Sequence, residues 1–273
     1  MSGRIVGALV RAALVIVAIA LPGLILPYEN DDFSLLMTLV ALFMGGLTFV
    51  EYVAVAPGLI EFRFAPLYNA MRFATLVLML ALTSFTVLAQ IDAQAGTGAV
   101  RDLGARLGSV LDVPLSPLRS LLRILPASAD PAQAELLRQG GALVLVSGVA
   151  MIGLLCALMR WTHWPGVGFN LWTNMPTFYS ADDSALARRL RRDALVSVVL
   201  ALALPYLLPE IARQLSHFLA TAAPWSTLSL IWTVVAWAFL PAGLFMRGMA
   251  ILRAARQIER SCRETSEQDG VPA

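Results

Sequence analysis

The sequence predicts an all-α protein, a polytopic transmembrane bundle of about six helices. Of its 273 residues, 58% are hydrophobic and only 14% are charged. The mean hydropathy is +0.74, whereas a soluble domain has about 25% charged residues. The apolar residues are concentrated in runs of roughly 20, the length that an α-helix needs to cross about 30 Å of hydrocarbon.

Six segments have this length and composition. They lie at residues 6–25, 33–50, 73–91, 141–159, 194–211 and 228–246. The first is open to a second interpretation as a secretory signal, because Arg4 and Arg11 precede an apolar run and Ala18-Ile19-Ala20 resembles a cleavage site. The apolar run continues beyond that site, which favours an uncleaved helix. We expect a single transmembrane domain, 1–264, and a disordered polar tail, 265–273.

The charge distribution predicts a multi-pass protein of the bacterial inner membrane with both termini in the cytoplasm. Basic residues are enriched in cytoplasmic loops, and all 20 basic residues of this chain are arginines. With the amino terminus inside, 14 arginines lie on the cytoplasmic side and 6 on the periplasmic side. The short segment 28–32 on the periplasmic side has acidic residues and no basic one.

The predicted periplasmic loop, 92–139, contains an amphipathic pattern. One helical face carries Val100, Leu103, Leu107, Val110 and Leu111. Pro114 and Pro117 interrupt the pattern, which resumes over residues 118–125. Two interpretations remain: interfacial amphipathic helices that lie on the membrane or dock on a partner, or a cap over the protein's own helices.

The predicted cytoplasmic loop, 161–193, is rich in aromatic residues and then in arginines. The aromatic residues are Trp161, Trp164, Phe169, Trp172, Phe178 and Tyr179, and the arginines are Arg188, Arg189, Arg191 and Arg192. Interleaved glycines and prolines indicate an ordered loop at the headgroup level, and the arginines are placed to meet anionic lipid headgroups. An aromatic belt with a charge cluster and a partner-binding surface are the two interpretations.

A second loop on the same side, 57–69, is the best candidate docking site for another membrane protein. Glu61 and Arg63 alternate there with Phe62 and Phe64. In an extended segment this alternation would point the rings to one side and the charges to the other. We expect this loop to pack beside the aromatic loop.

The last helix is predicted to continue beyond the membrane into the cytoplasm. Four arginines there share one stripe by their spacing of three and four residues: Arg253, Arg256, Arg260 and Arg263. A basic stripe near the cytoplasmic leaflet attracts anionic lipid headgroups. Contact with a partner is the alternative interpretation.

Ionisable residues inside membrane spans are the usual place to look for transport chemistry. Glu210, Arg213 and His217 form a polar stripe at the end of the fifth span, after Pro205 and Pro209. This stripe is either a path for a proton or solute, or the solvated end of a helix with Glu210 paired to Arg213.

Motifs of catalysis, metal binding and nucleotide binding are not found. The sequence has no lysine for a phosphate-binding loop, and no His-Glu-x-x-His, Cys-x-x-Cys or Gly-x-Ser-x-Gly. No cofactor and no enzymatic activity are therefore expected, and the net charge of +2 is too small to indicate nucleic acid. Two hypotheses follow: a non-catalytic accessory, assembly or scaffold subunit, or a transporter component with a path near the fifth helix.

Overall fold

The computed structural model describes residues 2–27, 32–54, 61–126, 129–165, 174, 183–219 and 226–268. This part of the chain is all-helical, with eight helices and no strand. The helices are α1 (Ser2–Ile25), α2 (Asp32–Val53), α3 (Pro66–Ile91), α4 (Gly98–Leu111), α5 (Pro117–Leu122), α6 (Pro131–Trp161), α7 (Asp183–Leu219) and α8 (Thr227–Gln268).

Six of these helices are long and apolar enough to cross a membrane: α1, α2, α3, α6, α7 and α8. Each contains one of the six segments predicted from the sequence, so the all-helical prediction is confirmed. The six helices suggest a multi-pass membrane protein. Helix α8 continues past its apolar segment, as predicted, and reaches Gln268 rather than residue 264. The tail at 269–273 lies outside the described residues.

The bundle has two ends, which we name by the residues that they contain. The proximal end holds Arg4 at the start of α1, Tyr52 at the end of α2 and Trp161 at the end of α6. The distal end holds α4 and α5. The proximal end is the one that the arginine distribution predicts to be cytoplasmic.

Two clusters of buried side chains hold the bundle together. The distal cluster includes Leu80, Val234 and Trp237, and the proximal cluster includes Leu155 and Met246. Helices in lipid associate largely through close packing, for which small residues at the contact are important. Gly248 of α8 shows this, because a Cβ there would lie 2.9 Å from the backbone oxygen of Ala194 in α7.

Helices α4 and α5 pack against the protein's own bundle. Gly104 and Gly108 are buried against α6, and a Cβ on Gly104 would lie 3.1 Å from Cβ of Gln139. Leu118 and Leu121 of α5 are fully buried in the distal cluster. This packing is that of a cap over the protein's own helices, one of the two interpretations of the loop 92–139.

The apolar face that the sequence predicts for α4 is divided in the structure. Leu107 and Leu111 pack against the distal cluster, whereas Leu103 and Val110 are 50% and 69% exposed. The predicted residues share one side of the helix, but only the part of that side next to the two glycines packs on the bundle, because the glycines face α6. Glycine allows the two backbones to approach closely at this contact.

Prolines in α7 remove helical hydrogen bonds, and α8 supplies a replacement. Pro209 has no N–H, so the carbonyl of Pro205, four residues earlier, loses its helical donor. The indole Nε1 of Trp237 donates to that carbonyl at 2.8 Å. This bond satisfies a partly buried carbonyl between α7 and α8.

Candidate functional site

The candidate site is built around a turn at residues 61–64 in the proximal end. Phe62 has a positive φ of 58° and is fully buried, with its ring 4.6 Å from that of Tyr68. Phe64 is 57% exposed and Arg63 only 4% exposed. The expected extended alternation of rings and charges was therefore wrong, because a turn places Phe62 and Arg63 inside and Phe64 outside.

The aromatic loop contacts this turn directly. The backbone N–H of Phe62 donates to the backbone oxygen of Asn174 at 2.7 Å, and that of Phe64 donates to Oδ1 of Asn174 at 2.9 Å. The ring of Trp164 lies 6.1 Å from that of Phe62. These contacts confirm that the two loops pack side by side, and they fix the backbone of the turn.

Arg247 of α8 joins the turn to α7 through an ion cluster. Its Nε and Nη2 donate to the two carboxylate oxygens of Glu61 at 2.6 and 3.0 Å. Its Nη1 lies 2.8 Å from a carboxylate oxygen of Asp193 and donates to Oγ of Ser197 at 2.7 Å. The guanidinium is only 23% exposed, and its planar fork matches the carboxylate of Glu61 in the bidentate manner typical of arginine.

The sequence reading missed this cluster. Arg247 directly follows the sixth apolar segment, a position from which a long side chain can extend to the interface. The structure instead turns the side chain inward. A signal was present, since Asp193 also borders an apolar run, and charged residues of opposite sign at the same membrane depth tend to pair.

A cluster of three arginines surrounds Tyr52 at the end of α2. Arg4 donates to the backbone oxygens of Tyr52 and Ala54, and Nη2 of Arg63 donates to the same two oxygens at 2.6 and 3.1 Å. The guanidinium of Arg11 lies 4.8 Å from the centre of the Tyr52 ring. Arg4 and Arg63 thereby satisfy carbonyls at a helix carboxyl end, where positive charge is favourable.

Arg63 is buried, which is unusual for an arginine. Its pKa is lowered from the ordinary value by burial and further by the charge of Arg4, while the nearby carboxylate of Glu51 opposes the shift. Glu51 is itself buried, at 7% exposure. The proximal end therefore contains several charged groups that are held in place by packing.

Exposed aromatic and basic side chains lie at the same end of the bundle as the turn. Trp161 is 81% exposed and Phe64 is 57% exposed, whereas Trp164 is partly buried. The four arginines at the start of α7, predicted to meet lipid, are all exposed: Arg188, Arg189, Arg191 and Arg192. The other predicted aromatic residues, Phe169, Trp172, Phe178 and Tyr179, lie outside the described residues.

The predicted arginine stripe of α8 is divided. Nη2 of Arg253 donates to the backbone oxygen of Cys156 in α6 at 3.3 Å, and the side chain is partly buried. Because α6 lies against that side of α8, Arg253 is less exposed than the next arginines of the stripe, and its contact with lipid stays a prediction. Arg256 and Arg260 are exposed, and the side chain of Arg263 is outside the described part of the structure.

The candidate path at the distal end contains an ordinary surface ion pair. Arg213 donates to Glu210 through Nε and Nη2 at 3.0 and 2.6 Å, and Nε2 of Gln214 donates to Glu210 at 2.8 Å. Glu210 is 50% exposed. This is the pairing expected of a solvated helix end. The side chain of His217 is outside the described residues.

An apolar groove of about 340 Å³ lies between α1, α2 and the start of α8. Its lining, which includes Ile19, Leu26 and Trp232, contains no charged residue within the described segments. The groove is therefore separate from the charged clusters of the proximal end.

The described segments contain no group of three His, Cys, Asp or Glu residues able to hold a metal ion. Comparisons of the chain with protein-family models, with curated proteins and with solved structures give no match.

Proposed function

We propose that this protein is a non-catalytic accessory, assembly or scaffold subunit of a bacterial inner-membrane complex. In this proposal both termini are cytoplasmic, and the proximal end binds another membrane protein. The observation that carries the proposal is the turn at residues 61–64, which Arg247 and Asn174 hold in place at the end of the bundle that also has exposed aromatic and basic side chains.

A fixed surface favours binding because little conformational entropy is lost when the partner docks. Phe64 supplies an exposed ring in the turn and Trp161 supplies another at the same end of the bundle, and tryptophan and arginine are enriched among residues that dominate binding energies. The arginines at the start of α7 add exposed positive charge at this end. We infer a partner with an apolar pocket and an acidic rim.

The cytoplasmic position of this surface is supported by the bias of arginines toward the proximal end. A reporter fused after residue 273 tests it. We expect the reporter to be inaccessible from the periplasm of intact cells and accessible after the membrane is permeabilised. Periplasmic access in intact cells would contradict the proposed sidedness.

Site-specific photocrosslinking tests the partner surface. A photoreactive amino acid at position 161 should crosslink one membrane protein in intact cells. The matched control is position 115, because Leu115 is 91% exposed and belongs to the distal end. Once the crosslinked protein is identified, Trp161→Ala should weaken its binding about tenfold or more, in the range of a central interface residue. Leu115→Ala should leave the binding unchanged.

A further variant, combined with the photoreactive residue at position 161, distinguishes the accessory proposal from the transporter hypothesis. Glu210→Gln removes the charge of the distal pair, and a transport path would lose activity through that change. The accessory proposal predicts no effect of Glu210→Gln on the crosslink from position 161. Crosslinking from position 115 alone, or a growth defect in Glu210→Gln cells with an intact crosslink, would contradict the proposal.

A further inference from the structure

Three arginines from separate parts of the chain lie together around Tyr52. Arg4 and Arg11 lie seven residues apart on α1, which places them on the same side of that helix two turns apart. Arg63 approaches from the turn before α3 and lies 5.4 Å from the centre of the Tyr52 ring. Three guanidinium groups therefore meet at the carboxyl end of α2.

The positive charge of this cluster exceeds the negative charge that the structure places beside it. Arg4, Arg11 and Arg63 bring three positive charges, and Glu51 brings one negative charge. An arginine side chain has five N–H donors. The contacts with Tyr52 and Ala54 occupy only Nη2 of Arg63, and its Nε and Nη1 are buried with no hydrogen-bond partner among the residues that the structure describes.

A buried cation with unsatisfied donors is costly unless an anion or acceptor is supplied. The burial of Arg63 also lowers its pKa, because a charged group is less stable away from water. Arg4 and Arg11 are exposed, so they form the outer side of the cluster. Nη1 of Arg11 donates to the backbone oxygen of Gly7 at 2.8 Å, so this side chain extends toward the proximal end of the helix.

The location of the cluster indicates which anion is available. Tyr52 and Arg4 lie at the ends of α2 and α1, two helices long enough to cross a membrane, and this is the headgroup level of such a helix. The side chains that follow on α1 are apolar and outward-facing, with Val10 54% and Leu14 46% exposed. A phosphate held by the arginines would therefore have its acyl chains beside apolar helix surface.

We propose that the exposed Arg4 and Arg11, with the buried positive charge of Arg63 behind them, bind a phosphate group beside Tyr52, and that an anionic phospholipid of the adjacent leaflet carries it. The planar guanidinium groups match phosphate oxygens in the bidentate manner that arginine provides. This site is separate from the arginine rows on α7 and α8.

Titration of the delipidated full chain in neutral detergent tests the proposal. Phosphatidylglycerol is added, and the bound lipid is counted by native mass spectrometry. The test variant is Arg4→Gln/Arg11→Gln, because both side chains are exposed whereas Arg63 is packed in the interior. The matched control is Arg101→Gln/Arg106→Gln, which removes two exposed arginines of α4 at the distal end.

We expect the test variant to bind one phosphatidylglycerol roughly 30-fold more weakly, from the usual contribution of two arginines near an anionic membrane surface. The control should stay within about threefold of the wild-type protein. Equal binding by the test variant and the wild type would overturn the proposal. So would an equal loss in both variants, which would indicate attraction to overall surface charge.

Inorganic phosphate distinguishes the two sources of a phosphate group. We expect it not to displace the lipid at concentrations equal to that of phosphatidylglycerol, because the acyl chains contribute to binding. Displacement at equal concentration would overturn the assignment to a phospholipid. Equal affinity for phosphatidylcholine, which has no net charge, would overturn the assignment to an anionic one.

Discussion

Replacing Arg247 with methionine should destabilise the protein by about 3 kcal/mol. The substitution removes two hydrogen bonds to Glu61, one to Ser197 and the ion pair with Asp193. Removing one partner of a buried ion pair costs roughly 3–5 kcal/mol, since the other charge is left unpaired. The lower end applies here because Glu61 and Asp193 are 28% and 33% exposed.

Related variants separate the charge of Arg247 from its geometry. Arg247→Lys keeps the charge but cannot bind both carboxylates and Ser197 at once, so its cost should be about half as large. Combining Arg247→Met with Glu61→Gln should cost less than the sum of the two single changes, by about 1 kcal/mol or more, because Glu61 is then no longer an unpaired anion.

The free energy of unfolding is measured by titration with sodium dodecyl sulfate in mixed micelles, followed by circular dichroism. Arg256→Met is the matched control, because Arg256 is exposed on the same helix. It should change the free energy by less than about 0.5 kcal/mol. The reasoning is refuted if Arg247→Met is no more destabilising than Arg256→Met, or if the costs of Arg247→Met and Glu61→Gln simply add.

Two further predictions concern the packing of the helices. Trp237→Phe removes the donor to the Pro205 carbonyl and should cost about 1–2 kcal/mol. The cost should fall when Pro209→Ala restores the backbone N–H, and equal costs in both backgrounds in the same unfolding assay would contradict this account. Gly104→Leu should cost about 1–3 kcal/mol by overpacking against α6, while Gly153→Leu, at a position with open space around it, should cost much less. Similar unfolding free energies for the two leucine variants would show that α4 does not pack closely on α6.

The six long apolar helices and their approximate positions could be predicted from the sequence because they depend on local properties. An apolar run of about 20 residues has enough length to cross hydrocarbon, and its backbone groups are satisfied within the helix itself. The extension of α8 beyond its apolar segment follows from the same local pattern. Packing of the loop at residue 61 beside the aromatic loop could also be anticipated, because both carry aromatic residues near the same helix ends.

The spacing of glycines does not predict which helices pack closely. The sequence contains Gly3 and Gly7 at the start of α1, and Gly104 and Gly108 in α4, with the same spacing of four. A Cβ on Gly3 would meet nothing within 4 Å, whereas both glycines of α4 lie close to α6. The spacing is compatible with helix contact in both cases, and the presence of a neighbouring helix decides between them.

The sequence by itself determined which segments are apolar helices and which carry the positive charge, since length, composition and periodicity are written in the chain. Only the tertiary structure decided which arginines are buried. Arg247 and Arg256 lie on one helix, yet Arg247 meets Glu61 and Asp193 while Arg256 is exposed. The difference arises from how α7, α8 and the turn at residue 61 are rotated against one another, and that rotation depends on contacts between residues far apart in the chain.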